Sequence, residues 1–186
     1  MNNKGFTLVF CVLLISLWLV YLPGGVQAQP KLGTHAPIIT HSYAIEKGRY
    51  GDVLKIYIAA EDPNGDMLRV ATTVHQVGFG RHSVDWIYLK KEYQSRVVGY
   101  LQWNTYGSKA TTLMEWTNIT IGVSVFDKAG NESNVVVFPF EFISDVISNP
   151  PPPAPFDKAG IPRLGHVNIN LYNPAQDGSA SGNVLR

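Results

Sequence analysis

From Gln29 onward, no stretch of the chain sustains the 3.6-residue hydrophobic period of a helix; short runs of period two recur instead. That property excludes helical bundles and α/β folds and predicts an all-β architecture. Seven runs rich in Val, Ile, Thr, Tyr and Phe are separated by turn residues: 38–46, 53–60, 68–77, 84–90, 96–103, 117–126 and 135–142. The second sets Leu54, Ile56 and Ile58 against Lys55 and Tyr57. The sixth sets Ile119, Ile121, Val123 and Val125 against Thr120, Gly122 and Ser124. Each pattern describes a strand with one face in a core and the other in water. Turns are expected at Lys47-Gly48, 62–66, 78–80 and 128–131. Seven short strands in about 110 residues predict an antiparallel β-sandwich, long enough to bury a core without cross-links.

Cross-links are in any case excluded, because the only cysteine is Cys11, inside an apolar N-terminal stretch. A thiolate zinc site and a C-x-x-C-H haem attachment are excluded with them. The histidines, His35, His41, His75, His82 and His166, form no metal-ligand spacing. The net charge of +1 gives no reason to expect nucleic acid or an acidic membrane surface as partner. No nucleophile elbow, phosphate-cradling glycine loop or nucleophile–base pattern occurs, so the expectation is a non-enzymatic protein with no catalytic residues.

Residues 1–28 read as a secretory signal peptide. Lys4 precedes an apolar run over 6–22, Pro23-Gly24-Gly25 ends it, and Val26-Gln27-Ala28 offers a cleavage site before Gln29. The same stretch supports two alternatives: a retained anchor, the only expected membrane contact, and a pilin-like leader. Lys4-Gly5-Phe6-Thr7-Leu8-Val9 resembles the start of type IV prepilins, although Phe10 stands where that family carries Glu. Each reading places the protein outside the cytoplasm, in the periplasm, on the cell surface or beyond. The domain layout expected is 1–28 signal, 29–35 lead-in, 36–144 sandwich and 145–186 tail.

The tail holds seven of the twelve prolines, including the run 150–153, and its end is rich in Gly and Ser. It reads as a polyproline-II spacer followed by a largely unstructured segment. Within it, residues 166–172 read as a possible strand, since Val167, Ile169 and Leu171 alternate with Asn168 and Asn170. A lone strand must find a sheet edge, either on its own molecule or on a neighbour, where repeated addition would build a chain.

Several motifs resemble bacterial immunoglobulin-like and cadherin-like repeats. They are Ala36-Pro37-x-Ile39, Gly51-Asp52, the strand over 55–60, Asp62-Pro63-Asn64-Gly65-Asp66-x-Leu68 and Val123-x-Val125-x-Asp127-x-Ala129-Gly130-Asn131-x-Ser133. The resemblance spans 36–142 but is anchored at its two ends, and this chain carries one such module rather than an array. It implies an immunoglobulin-like sandwich that works in adhesion, spacing or ligand binding, some relatives holding calcium.

Two candidate sites follow. Asp62, Asn64 and Asp66 supply oxygens at alternate positions, and the shared pole of the second and sixth strands brings Asp127 and Asn131 towards them. Calcium there competes with plain turn chemistry, in which the side chains cap their own backbone. Trp86, Tyr88 and Tyr100 alternate with Ile87, Leu89 and Leu101. They are core residues in one register and an outward stripe for stacking on sugars or a protein in the other. The function expected is an exported binding or structural module acting through a protein partner or self-assembly. The alternatives are a carbohydrate-binding module and a filament subunit.

Overall fold

The alternating runs become strands because their branched and aromatic side chains can face a shared core every second residue. The computed structural model describes residues 35–105, 117–145 and 149–172. Ten strands lie among the described residues: β1 (Ile38–Tyr43), β2 (Lys47–Gly48), β3 (Val53–Glu61), β4 (Met67–Gln76), β5 (Gly80–Arg81), β6 (Asp85–Tyr88), β7 (Arg96–Asn104), β8 (Asn118–Asp127), β9 (Val136–Phe142) and β10 (Arg163–Val167). The only helical element described is one 3-10 turn, Lys91–Tyr93. Residues 1–28, read from sequence as a signal peptide, and the Gly/Ser-rich end lie outside the described residues.

The strands form two mixed sheets, one ordered β1-β3-β7-β10 and the other β2-β9-β8-β4 with β5 and β6 both on β4. All seven expected runs are present, as β1, β3, β4, β6, β7, β8 and β9. The first, second and fifth lie in one sheet and the third, sixth and seventh in the other, which is the immunoglobulin-like distribution. The fourth run, β6, pairs with β4 rather than with β7. The free side of β7 is taken by β10, which runs parallel to it.

Three strands were not expected. Lys47-Gly48 was read as a turn, yet it pairs in parallel with Glu141-Phe142 in the second sheet. The first run therefore ends at Tyr43 and the chain changes sheets over 44–46. Gly80-Arg81 forms a short hairpin partner for His75-Gln76. The third, β10, overlaps the strand expected at 166–172 only at its end, since it covers Arg163–Val167.

The inward positions of both sheets meet in one core that includes Leu54, Ile56, Ile58, Val70, Leu101 and Ile121, all at most 1% exposed. At roughly 1.5–3 kcal/mol for each fully buried aliphatic side chain, this interface is the main stabilising term. Val167, Ile169 and Leu171 belong to the same core. The alternation in the tail thus marks core-facing residues, Val167 at the end of β10 and Ile169 and Leu171 in the extended chain after it, and the segment joins its own domain.

The proline-rich segment is also packed against the molecule, on the outer face of the first sheet. Tyr43 donates its hydroxyl to the Pro150 carbonyl at 3.1 Å. Phe156 is buried, its ring 5.4 Å from Tyr57. Tyr57 also touches Tyr43 and Tyr100, with ring centroids 6.2 and 5.6 Å apart. This row of tilted aromatic rings gives the proline-rich chain an apolar surface to pack on, which explains why the segment is not a free spacer.

Candidate functional site

Trp86 and Tyr88 occupy alternate positions of β6, with Ile87 between them buried in the core. The register that turns Ile87 inward necessarily turns both rings outward. Trp86 is 37% and Tyr88 64% exposed. Tyr100 does not join them. It lies on β7 in the other sheet, half-buried beside Tyr57, with the Lys55 ammonium 5.0 Å from its ring centre. The single stripe expected from sequence is therefore split. The segment between β6 and β7 crosses from one sheet to the other, so strands adjacent in sequence are not neighbours in space.

Around Trp86 the outer face of the second sheet is organised by cross-strand pairs. Arg69 on β4 stands opposite Tyr88 on one side and Phe126 on the other. Ala71 stands opposite Trp86 and Ser124 in the next row, and Thr73 and Gly122 follow. The Arg69 guanidinium lies 3.9 Å from the Trp86 ring centre and 5.8 Å from that of Phe126. Trp86 and Phe126 meet edge to face at 5.2 Å. Cation–π contact with Trp is the strongest of its kind and fixes the plane of the guanidinium.

Beyond the small residues Ala71, Thr73, Gly122 and Ser124, Val137 pairs across from Gly122 on β9, and Val135 lies close to the same glycine. Both valines are more than half exposed. The face has an aromatic side and an aliphatic side with a small-residue floor between them, in which Ala71 and Ser124 are buried and Thr73 and Gly122 partly exposed. Sequence reasoning found Trp86 and Tyr88 but missed Arg69, Phe126, Val135 and Val137. Pairing β4 with both β6 and β8 would have found them, since one face of β4 carries Arg69, Ala71 and Thr73.

The acidic pole is assembled as the strand directions require. Met67 pairs with Asp127, and the Lys128 amide donates to the Asp66 carbonyl at 3.1 Å. The carboxylates are spent locally. Asp62 accepts the Asn64 amide at 2.8 Å and the Asp66 amide at 3.1 Å. Asp127 accepts the backbone and side-chain N–H groups of Asn131 at 2.8 and 2.7 Å. The Asn64 side chain donates to the His35 carbonyl. Gly65 and Gly130 hold φ of +69° and +88°, the left-handed conformation such turns need. A cation cage needs these oxygens to converge on one point, whereas here each pair serves its own loop. Asp62 and Asp127 thus both carry out the turn chemistry of their own loops.

Asp66 is the exception within the pole, since its Oδ1 is buried without a hydrogen-bond partner. Burial, a hydrogen bond with Asp62 and the negative charges of Asp62 and Asp127 raise its pKa above the ordinary carboxylate value, with Lys128 opposing.

The third expected set, Val167, Ile169 and Leu171, is held by specific contacts rather than by burial alone. Trp103 donates its indole N–H to the Ile169 carbonyl at 3.0 Å. Leu164 sits over Gly99, where a side chain's Cβ would lie 2.5 Å from Leu164 Cδ2. Gly165 lies equally close against Ile87. These residues hold the chain to itself. No protein-family model and no curated protein matches the sequence.

Proposed function

We propose that the chain is an exported, non-enzymatic binding module of the cell envelope or surface that works through protein–protein contacts. Its contact surface is the outer face of the sheet formed by β9, β8, β4 and β6. The observation that carries this reading is the asymmetry between the two outer faces. One carries the chain's own proline-rich segment, with Phe156 buried on it, and exposes Ile38 and Val53 only as the first residues of β1 and β3. The other exposes Trp86, Tyr88, Val135 and Val137. Contiguous exposed apolar surface on a folded domain is a mark of an interaction site, and aromatic anchors dominate such interfaces. Export rests on the signal-peptide pattern of residues 1–28. The resemblance to immunoglobulin-like and cadherin-like modules points the same way.

The test is binding of the fluorescently labelled chain, from Gln29 onward, to intact envelopes of the producing cells. Binding should vanish in the Trp86→Ala/Tyr88→Ala variant while its melting curve stays cooperative, and it should be lost after protease treatment of the envelopes. Undiminished binding by that variant would remove this face from consideration. A carbohydrate ligand is the second reading, favoured by two outward rings at alternate positions of one strand. Binding that resists protease and is destroyed by periodate would establish it.

A further inference from the structure

Arg69 on the exposed face carries a buried donor that no group of the described residues satisfies. Its guanidinium is stacked on Trp86, and its Nε is sealed from solvent with no acceptor. Among the described residues no carboxylate forms an ion pair with it. The acidic side chains nearest in the fold are otherwise engaged. Glu132 accepts the Ser124 hydroxyl at 2.7 Å, and Asp85 accepts the Asn168 amide at 2.8 Å. Arg81, paired with His75 further along the same face, is exposed and also has no acidic partner among the described residues.

An arginine locked in one plane beside solvent, with no anion from its own chain, is preorganised for one that arrives from outside. We propose that Arg69 reads an acidic side chain of a partner protein. The partner's carboxylate bonds the guanidinium beside Trp86, and an aliphatic residue next to it lies on the small-residue floor against Val135 and Val137. Charge complementarity selects the acid, since Arg69 and Arg81 on this face have no ion pair among the described residues, while the one carboxylate beside them, Glu132, is turned to the Ser124 hydroxyl. The aliphatic side selects a peptide over a sugar, because Val135 and Val137 offer a polyhydroxylated ring nothing to hydrogen-bond. The inference rests on the reading of this face as the contact surface and adds the chemistry of what it contacts.

The experiment is selection of a displayed library of random linear peptides on the immobilised chain, followed by affinity measurement with synthetic peptides. Enriched peptides should carry Asp or Glu beside Val, Ile or Leu. Changing that acid to its amide, or Arg69→Gln in the chain, should each weaken binding ~10-fold or more, and the two together should cost little beyond either alone. Arg69→Lys, which keeps the charge and loses the planar fork, should fall between. The acid-to-amide peptide tests the contact even if the Arg69 variants fold poorly. Enriched peptides that depend on Trp86 and Tyr88 but not on Arg69 would overturn the carboxylate assignment and leave the face intact. Peptides indifferent to all three would overturn both. Enrichment of no peptide, or Arg69-dependent binding of polygalacturonate in place of peptides, would overturn the protein source.

Discussion

Gln76 pairs with Tyr172 as if it were another length of backbone. Its side-chain amide donates to the Tyr172 carbonyl at 2.8 Å and accepts the Tyr172 amide at 2.9 Å, the two bonds that adjacent strands exchange. Gln76 is 3% exposed, so these groups have little water to turn to. Asn134 does the same at the free edge of β1, accepting the Ile39 amide at 2.8 Å and donating to its carbonyl at 3.2 Å. Both amides satisfy backbone groups that an open sheet edge would leave exposed.

Gln76→Leu removes both bonds while keeping the volume. It should destabilise the domain by roughly 1–3 kcal/mol, the cost of leaving partly buried polar groups unpaired. Hydrogen exchange at the Tyr172 amide should accelerate far more than at the β3 and β8 amides. Uniform acceleration would show that the end of the tail does not open separately.

His82 makes this clamp sensitive to acid. Its Nε2 lies 3.1 Å from the Gln76 oxygen, and its ring is 4.9 Å from that of Phe79, which stacks on Tyr172. Burial lowers its pKa below 6.5. The unfolded chain thus takes up a proton first as pH falls below that value, so this contribution is present above it and is lost towards the lower folded value. Melts from about pH 7.5 to about pH 5 should show a steeper fall for the native chain than for His82→Gln. Parallel curves would remove His82 from the clamp.

Gly99→Ala should loosen β10 without touching the main core. The new Cβ would lie 2.5 Å from Leu164 Cδ2 and 2.9 Å from the Pro162 carbonyl oxygen. Overpacking of this kind costs ~1–3 kcal/mol. Adding Leu164→Ala should recover only part of it, because the carbonyl stays in place. The Tyr100 amide, which donates to Pro162 at 3.0 Å, should exchange faster in the single variant.

The acidic pole predicts opposite behaviour with pH. With the Asp66 pKa raised, the folded chain holds its proton to higher pH than the unfolded one, so stability falls as pH rises through the window above 3.8. Asp66→Asn should raise the neutral-pH melting temperature and flatten that dependence. Because Asp62 and Asp127 are occupied by their own turns, melts in millimolar calcium and in chelator should superpose. A calcium-dependent rise abolished by Asp66→Ala would overturn the turn reading of this pole.

Strand identity was legible wherever one residue in two had to face the core, as in Leu54, Ile56 and Ile58. It was legible even in the tail, where Val167, Ile169 and Leu171 gave a strand its pattern without saying which edge it joins. Sheet membership was less legible, because period two does not say which sheet a strand enters. Tyr100 was therefore grouped with Trp86 although a sheet change separates them. Two-residue strands such as Lys47-Gly48 carry no period at all. Arg69 was invisible for another reason, since its role comes from Trp86 and Phe126 on two different neighbouring strands.

The parallel pairing of β10 ties the fold to the order in which the chain is made. A polypeptide emerging N-terminus first presents β1 to β9 while Trp103 still lacks the Ile169 carbonyl and β7 lacks its outer neighbour. The core closes only when Val167, Ile169 and Leu171 arrive. A chain interrupted before Val167 therefore lacks three core side chains and the outer neighbour of β7, an opening by which proteases can distinguish a stalled molecule from a finished one.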